Sequence, residues 1–528
     1  MSQNSNGISR LVVFGDSLSD DGNLFRFTGE PAPPYWKGRF SNGPTYAEQL
    51  ASELGARLED LAFGGATASA TSPFADSLPV NLPEQVAAYL IGLHGRRAPS
   101  GTTAVIDIGS NDYINFLQSG ASLSKAPQVI SSVVSSVATA IDALTAAGVQ
   151  KIALFTLPDL SVTPEFQALS AGSSAPAGLL ALARELDVAN NQAFAQLAAS
   201  HPNVQLVDIF KLTDAVAADP ANFGFSDITT PLIDLNPTEL MNLAPNEVAF
   251  FDGLHPTYAA HGIQAAFADA VLTSDHTQFL DGTQSVVQAQ NGSDFIFATP
   301  IDPAHPNLTD YTITGGVGND LIFAGPGNVT VQGGTGNDLI DAGSGNATLS
   351  GGKGDDVLAT NSLGTNMLRA GQGDDALIAN RGGTNVLEGG TGNDLFVLKE
   401  SAALANGNGG FDFGTQTIIG GDGSDTLRFV INNQNPTLEQ ALVSEFQNVE
   451  AAFDASIANH QAGTFKVDGL NVSGIDAVQL QIDGVSNNPN TPYLITHTIV
   501  SSAGQSAPAN PTLGSLLNTA QNWGLLTV

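Results

Sequence analysis

Gly333-Gly334-Thr335-Gly336-Asn337-Asp338-Leu339-Ile340 decides how the second half of this chain folds. Its six-residue head, Gly-Gly-x-Gly-x-Asp, recurs as Gly315-Gly316-Val317-Gly318-Asn319-Asp320 and Gly351-Gly352-Lys353-Gly354-Asp355-Asp356. It returns as Gly389-Gly390-Thr391-Gly392-Asn393-Asp394 and Gly420-Gly421-Asp422-Gly423-Ser424-Asp425, with an alanine-led copy at Ala370-Gly371-Gln372-Gly373-Asp374-Asp375. The glycines permit backbone turns that bring carbonyl oxygens inward. Each closing aspartate adds a hard anionic oxygen, so stacked heads offer the all-oxygen cage that Ca2+ prefers.

The spacing adds a topology. From Gly315 to Gly389 the heads begin 18 or 19 residues apart, about twice a nine-residue unit. Worn units lie between them, at Ala324-Gly325-Pro326-Gly327-Asn328 and Ala342-Gly343-Ser344-Gly345-Asn346, then around Gly364 and Gly383. If each unit is one turn and one strand, two units make a coil. Asp320, Asp338, Asp356, Asp375 and Asp394 then stack on one side, and Val329, Ala347, Asn366 and Asn385 on the other. The expected fold is a parallel β-roll over residues 315–430, with one good calcium column and one poor one. Ile322, Val331, Ile340, Leu349, Leu358, Leu368, Leu377, Leu387 and Phe396 keep an apolar residue in phase and form its thin core. A flexible glycine linker keeps no such phase.

The flanks are less regular. Residues 280–314 read as a linker and roll cap, with a worn repeat at Gly292-Ser293-Asp294-Phe295-Ile296-Phe297. Residues 431–528 are Asn-, Gln- and Ser-rich and read as a β-rich flank. The formal net charge of −34 makes nucleic acid and anionic lipid headgroups poor electrostatic partners. Cysteine is absent, which excludes disulfides and thiol catalysis. The first residues lack a basic and apolar leader, so no cleaved secretory signal is expected, and no apolar run suggests a transmembrane segment.

Residues 1–279 have a different character. Leu11–Phe14, Arg57–Ala62, Ala104–Ile108, Lys151–Phe155 and Val204–Val207 read as buried strands. Helical patterns at Thr45–Leu54, Leu123–Ala147 and Gly178–Ser200, and one after Thr257, alternate with them. That alternation predicts an α/β/α sandwich around a parallel sheet, with its own core and with ligands at the carboxyl ends of the strands. Those ends carry Gly15-Asp16-Ser17-Leu18, Phe63-Gly64-Gly65-Ala66 and Gly109-Ser110-Asn111-Asp112; Asp252-Gly253-Leu254-His255-Pro256 follows near the end of the region. A turn at Gly253-Leu254 would fold the Asp252 carboxylate back onto the His255 ring, and Ser17 sits where a tight turn exposes its hydroxyl.

Taken together, these blocks resemble the GDSL, or SGNH, hydrolase family, and Gly38-Arg39-Phe40-Ser41-Asn42-Gly43-Pro44 looks like its lipase and acylhydrolase branch. The resemblance implies a flavodoxin-like fold and a carboxylic ester hydrolase. It implies Ser17 as nucleophile, His255 as base and Asp252 as orienting acid. The Ser17 and Gly65 N–H groups and the Asn111 amide would form the oxyanion hole. Asp60 stands where members often carry Asn, and His261 is the nearest rival base. The repeats resemble the RTX family, which implies several structural calcium ions, none for catalysis. It also implies type I secretion machinery as a partner, an uncleaved export signal within residues 431–528, and an extracellular destination. The competing expectation is an inactive surface protein that uses the roll for attachment.

Overall fold

A computed structural model of the 528-residue chain describes residues 7–69, 80–119, 123–172, 176–236, 239–240, 243–280, 284–298, 310–380, 383–399, 414–432, 436–459, 463–467, 469–485, 495–501, 510–523 and 525. Five parallel strands open the fold: β1 (Arg10–Gly15), β2 (Arg57–Asp60), β3 (Thr102–Asp107), β4 (Lys151–Phe155) and β5 (Val204–Val207), in the order β2-β1-β3-β4-β5. The reversal at β1 and β3 creates the crevice where such sheets bind ligands. Strand residues alternate between two cores. Val12, Phe14, Ala104, Ile106, Ile152 and Leu154 face one side, against α3 (Leu82–Gly92), α4 (Ser110–Gln118), α5 (Ala126–Ala146) and α7 (Pro176–Ser200). Leu11, Val13, Val105, Ala153, Phe155 and Val207 face the other, against α2 (Tyr46–Glu53), α8 (Ile209–Ala218) and α9 (Tyr258–Thr273). Period-two burial thus turns apolar runs into a central layer.

The expected strands and long helices match with shifts of a few residues at their ends. The helices α1 (Asn23–Thr28), α3, α4, α6 (Pro164–Ala171) and α8 lie outside the expected helical patterns. Among the described residues, α5 alone is long and apolar enough to cross a membrane by length and composition. In the fold it lies over the sheet and buries Val133, Val137, Ala140, Ile141 and Leu144.

The second half is a roll of two parallel sheets. One takes strands from Tyr311–Val317, Val329–Thr335, Ala347–Lys353, Thr365–Gln372, Thr384–Thr391 and Thr415–Asp422; the other includes Leu321–Phe323, Leu339–Asp341, Val357–Thr360, Ala376–Asn380, Leu395–Lys399 and Thr426–Asn432. The apolar column runs in register as Val331, Leu349, Leu368, Leu387 and Ile418 in the first sheet. In the second it runs as Ile322, Ile340, Leu358, Leu377, Phe396 and Leu427, and both columns meet in one core. The glycines are needed because neighbouring coils stack backbone on backbone. A Cβ on Gly336 would sit 1.8 Å from the Gly318 carbonyl oxygen.

The roll extends beyond 315–430. Its first strand is His276–Leu280, and the expected linker supplies Val286–Gln288 and Asp294–Ala298 to the two sheets. Gly292, at φ 119°, makes the turn that the worn repeat otherwise lacks. The expected β-rich flank also contains helices, α10 (Pro436–Ala458) and α11 (Pro511–Asn522). Phe446, Val449 and Phe453 of α10 bury themselves in the roll core, with Phe453 edge-on to Phe465.

The first half keeps a core of its own on the α3, α4, α5 and α7 side of the sheet, but its other core is shared with the roll. Phe267 of α9 meets Phe295 and Phe297 of the roll at ring distances of 5.5 and 5.3 Å, and Trp523, just after α11, stacks 4.0 Å from Phe323. Residues of α9, the outer face of the roll and the α11 segment form one continuous cluster. The aromatic face of a strand such as Phe295–Phe297 is apolar on both sides, so its outer side needs a cover, and α9 supplies it. Half-buried Lys399 ties this junction to the Leu525 carbonyl and to Asn361, at 2.7 and 2.9 Å.

Candidate active site

The end of β1 is held by a single side chain. Gln85 of α3 accepts from the Gly15 N–H at 2.9 Å and donates to the Gly15 carbonyl at 2.8 Å, ending the strand just before Ser17. A Cβ on Gly15 would lie 2.7 Å from Ser19 Oγ and 2.8 Å from the Asp107 carbonyl, so the turn that follows requires glycine. Asp20 closes that turn by accepting from the N–H groups of Gly22, Asn23 and Leu24, and also from Gly64 at 2.8 Å. One carboxylate therefore fastens the serine turn to the Gly64-Gly65 turn.

Ser17, His255 and Asp252 lie in a continuous chain. His255 Nε2 is 2.8 Å from Ser17 Oγ, and His255 Nδ1 is 2.8 Å from Asp252 Oδ2 and 3.0 Å from Oδ1. Asp252 Oδ1 also accepts from the N–H groups of Leu254 and His255, at 2.8 and 2.7 Å. Burial alone would raise this carboxyl; the hydrogen bonds and charge of His255, with those two backbone donors, outweigh it and bring it down to about 2. Asp252 is therefore an anion at any ordinary pH, and it holds the ring with Nδ1–H facing it.

The other expected residues sit around Ser17. Phe63 N–H bonds to the Gly15 carbonyl, which carries Gly64-Gly65 alongside the serine turn. Gly65 is exposed, has φ 80°, and would point a Cβ into open space. Asn111, in the first turn of α4, donates to the Ala66 carbonyl at 2.9 Å, so its amide borders the same turn. Asp112 accepts from Ala68 N–H and Ser69 Oγ and holds the following loop. Asp60, in the place where the family often has Asn, accepts from the N–H groups of Asp21 and Ala62; burial raises its carboxyl. His261 is fully buried on α9 against Tyr46, and burial, followed by the nearby His255, lowers its ring to about 3. It stays neutral inside the core.

An apolar cleft, open to solvent at its mouth, runs from Ser17 and His255. Ile114, Leu160, Leu212, Phe225, Phe250 and Ile263 are among its walls.

In the roll, the closing aspartates form a ladder. Asp320 N–H donates to Asp338 Oδ1, Asp338 to Asp356, Asp356 to Asp375, Asp375 to Asp394 and Asp394 to Asp425, at 2.7 to 3.0 Å. The second oxygen of each is buried without a hydrogen-bond partner among the described residues. Burial, opposed by those backbone bonds and reinforced by neighbouring carboxylates, raises Asp356 and Asp394 to about 8, and Asp338 and Asp375 to about 7. A hard cation fits this column: it would satisfy the orphaned oxygens while stacked glycine turns supply carbonyls.

Residues 11–267 match the profile of GDSL-like Lipase/Acylhydrolase, and four segments between 314 and 397 match the RTX calcium-binding nonapeptide repeat. The chain thus joins a parallel α/β domain that matches the GDSL profile to a roll of RTX repeats. Its first half belongs to the GDSL-like lipase/acylhydrolase family. It is 30% identical over 42% of its length to a phosphatidylcholine-sterol acyltransferase of Aeromonas hydrophila, covering 64% of that protein. It is 28% identical over 48% of its length to a thermolabile hemolysin of Vibrio parahaemolyticus, covering 61%. The chain thus spans less than two thirds of either relative. A crystal structure of a lipolytic protein of the G-D-S-L family from Veillonella parvula aligns over 49% of this chain and 96% of its own, with 14% identity and a TM-score of 0.27.

Two contributors had no signal in the sequence. Gln85 was one polar residue on an apolar helix face, and Tyr35, whose Oη donates to Asp252 Oδ2 at 2.8 Å, lay in an unpatterned proline-rich loop.

Proposed function

We propose that the protein hydrolyses the carboxylic ester of a lipid through Ser17, His255 and Asp252. The unbroken chain from Ser17 Oγ to Asp252 at the mouth of an apolar cavity carries this reading. His255 Nε2 takes the Ser17 proton as Oγ attacks the ester carbonyl, and Asp252 stabilises the imidazolium. The Ser17 and Gly65 N–H groups, with the Asn111 amide, receive the negative charge on the carbonyl oxygen. His255 returns the proton to the leaving alcohol. Water, activated by the same ring, then releases the acyl group. The cavity walls suit an acyl chain, and the name of the acyltransferase relative makes a phosphatidylcholine ester the first substrate to try.

Calcium belongs to the roll in this reading. External calcium near the millimolar range would fill the column after export, and low cytosolic calcium would leave the carboxylates unneutralised inside the cell. A type I route and an extracellular site of action follow from that difference. The test is labelling with a fluorophosphonate probe, followed by hydrolysis across acyl chain lengths and headgroups. Ser17 should be the labelled residue and neutral or zwitterionic lipid esters the best substrates. A calcium-loaded protein that takes up no probe would sink the assignment.

A further inference from the structure

We propose that Tyr35 is a positioning residue for the ester-cleaving site, acting through Asp252. This deepens the reading of Ser17, His255 and Asp252 given above and rests on it.

The segment from Tyr35 to Asn42 grips the His255 loop at four points. Tyr35 Oη donates to Asp252 Oδ2 at 2.8 Å. The Phe40 ring lies 4.8 Å from the His255 ring, tilted by 33°. Ser41 Oγ donates to the Pro256 carbonyl at 2.9 Å, and Asn42 Oδ1 accepts from the Tyr258 N–H at 2.6 Å. The acid, the base and both residues flanking the start of α9 are thus all held from one stretch. The Gly38–Pro44 motif lies mostly within it, yet neither proton transfer nor oxyanion binding uses any of its side chains.

The grip is prepared by the backbone. Lys37 has φ 48° and ψ 35°, a left-handed conformation that costs a non-glycine residue free energy and persists only where the surroundings impose it. Arg39 holds it by donating to the Lys37 carbonyl at 3.0 Å while pairing with Glu48 of α2 at 2.6 Å. A Cβ on Gly38 would strike the Phe25 ring at 2.4 Å, so only glycine lets the turn close. This reversal places Tyr35 and Phe40 side by side, 6.1 Å apart, with Tyr35 also edge-on to Phe251 at 5.1 Å. Such packing fixes where the hydroxyl points.

The chemistry explains why a hydroxyl is useful there. Asp252 Oδ1 already has two backbone donors, whereas among the described residues Oδ2 has only the His255 ring and Tyr35. Without Tyr35, Oδ2 keeps only the ring as partner, and the bearing of the ring on Ser17 is less firmly set. With Tyr35, the carboxylate plane is set, and the 2.8 Å contact from Nε2 to Ser17 Oγ is set with it. Tyr35 touches neither substrate nor reacting atoms, so its effect passes through Asp252.

The test is Tyr35→Phe in the full calcium-loaded chain, which keeps the ring and its packing and deletes one oxygen. The expected result is a kcat lower by roughly tenfold, the kinetic size of one charge-assisted hydrogen bond, at an unchanged KM. The low-field proton NMR resonance of the His255–Asp252 hydrogen bond should shift, and the melting temperature should stay near that of the wild type. Tyr35→Leu should lose stability as well, which marks the packing role apart from the hydroxyl. Wild-type kcat with an unmoved resonance in Tyr35→Phe overturns the proposal. Failure of the wild-type protein to label at Ser17 overturns the hydrolase reading instead, so the two outcomes are distinguishable.

Discussion

Asp252 and Asp356 are both buried carboxylates, and they end in opposite states. Asp252 is finished by the chain's own donors: against burial, the His255 ring and two backbone N–H groups bring it down to about 2, and Tyr35 donates one more hydrogen bond. Asp356 accepts one N–H from Asp338 on Oδ1 and, among the described residues, nothing on Oδ2, and burial lifts it to about 8. A buried anion without donors is costly until something neutralises it. The first half therefore holds a charge ready for use, and the roll holds carboxyls that ionise at ease only with an ion beside them. Across the roll from Asp356, the worn side solves the same stacking problem without charge. Asn366 donates to Asn385 Oδ1 and Asn385 to Gln416 Oε1, each at 2.8 Å, a neutral amide ladder that is complete by itself.

The sharpest way to separate the two regions is Ser17→Ala. Turnover should fall roughly 10⁵–10⁶-fold, and adding His255→Ala should cost little more because the residues act as a unit. Calcium-induced folding of the roll, followed by circular dichroism, should be untouched. Wild-type turnover in Ser17→Ala would remove the catalytic half of the comparison.

Asp356→Asn probes the other side. It should raise the calcium midpoint for folding by roughly tenfold or more, since a ligand charge is lost. It should also make the calcium-free roll more stable, because the uncompensated anion is gone. Asn346→Ala, on the exposed worn side, should leave the calcium midpoint within about twofold. Equal effects of the two substitutions would mean that the two sides of the roll do not differ.

The smallest effect is one of pH, and its sign differs between the regions. Asp338, Asp356, Asp375 and Asp394 have folded values of about 7 to 8, above the ordinary ~3.9. The folded state then binds more protons, so their contribution favours folding at low pH and is lost as pH rises through about 7 to 8. Asp252, at about 2, contributes above ~3.9 and loses that contribution only as pH falls toward 2. Acidifying the calcium-free protein from pH 8 to pH 5 should therefore raise the melting temperature of the roll while Asp252 stays ionised. A melting temperature that falls over this interval would contradict the burial of the column.

Periodicity explains which parts were legible. The heads repeat at a fixed spacing, so the roll, its register and its apolar column could all be read from residues such as Val331, Leu349 and Leu368. Ser17, Asn111 and His255 stand in short motifs at strand ends or before a helix, where local pattern and chemistry coincide. Tyr35 and Gln85 could not be found this way. Their partners lie 217 and 70 residues away, and nothing about either residue marks it locally. The joint between the halves was hidden for a related reason. Nothing in the local pattern around Phe267, Phe323 or Trp523 points to the other two, and only the folded packing shows that they share one core.

The chain has two tryptophans, and the fold assigns them to different events. Trp523 is fully buried against Phe323 where α9, the roll and α11 meet. Trp36 is next to Tyr35, under the charges of Lys37 and Arg39 at 4.5 and 5.1 Å. The protein thus contains two optical reporters at separate places. With Trp36 replaced by Phe, emission follows the closing of the joint as calcium is added; with Trp523 replaced by Phe, it follows the stretch that steadies the catalytic acid.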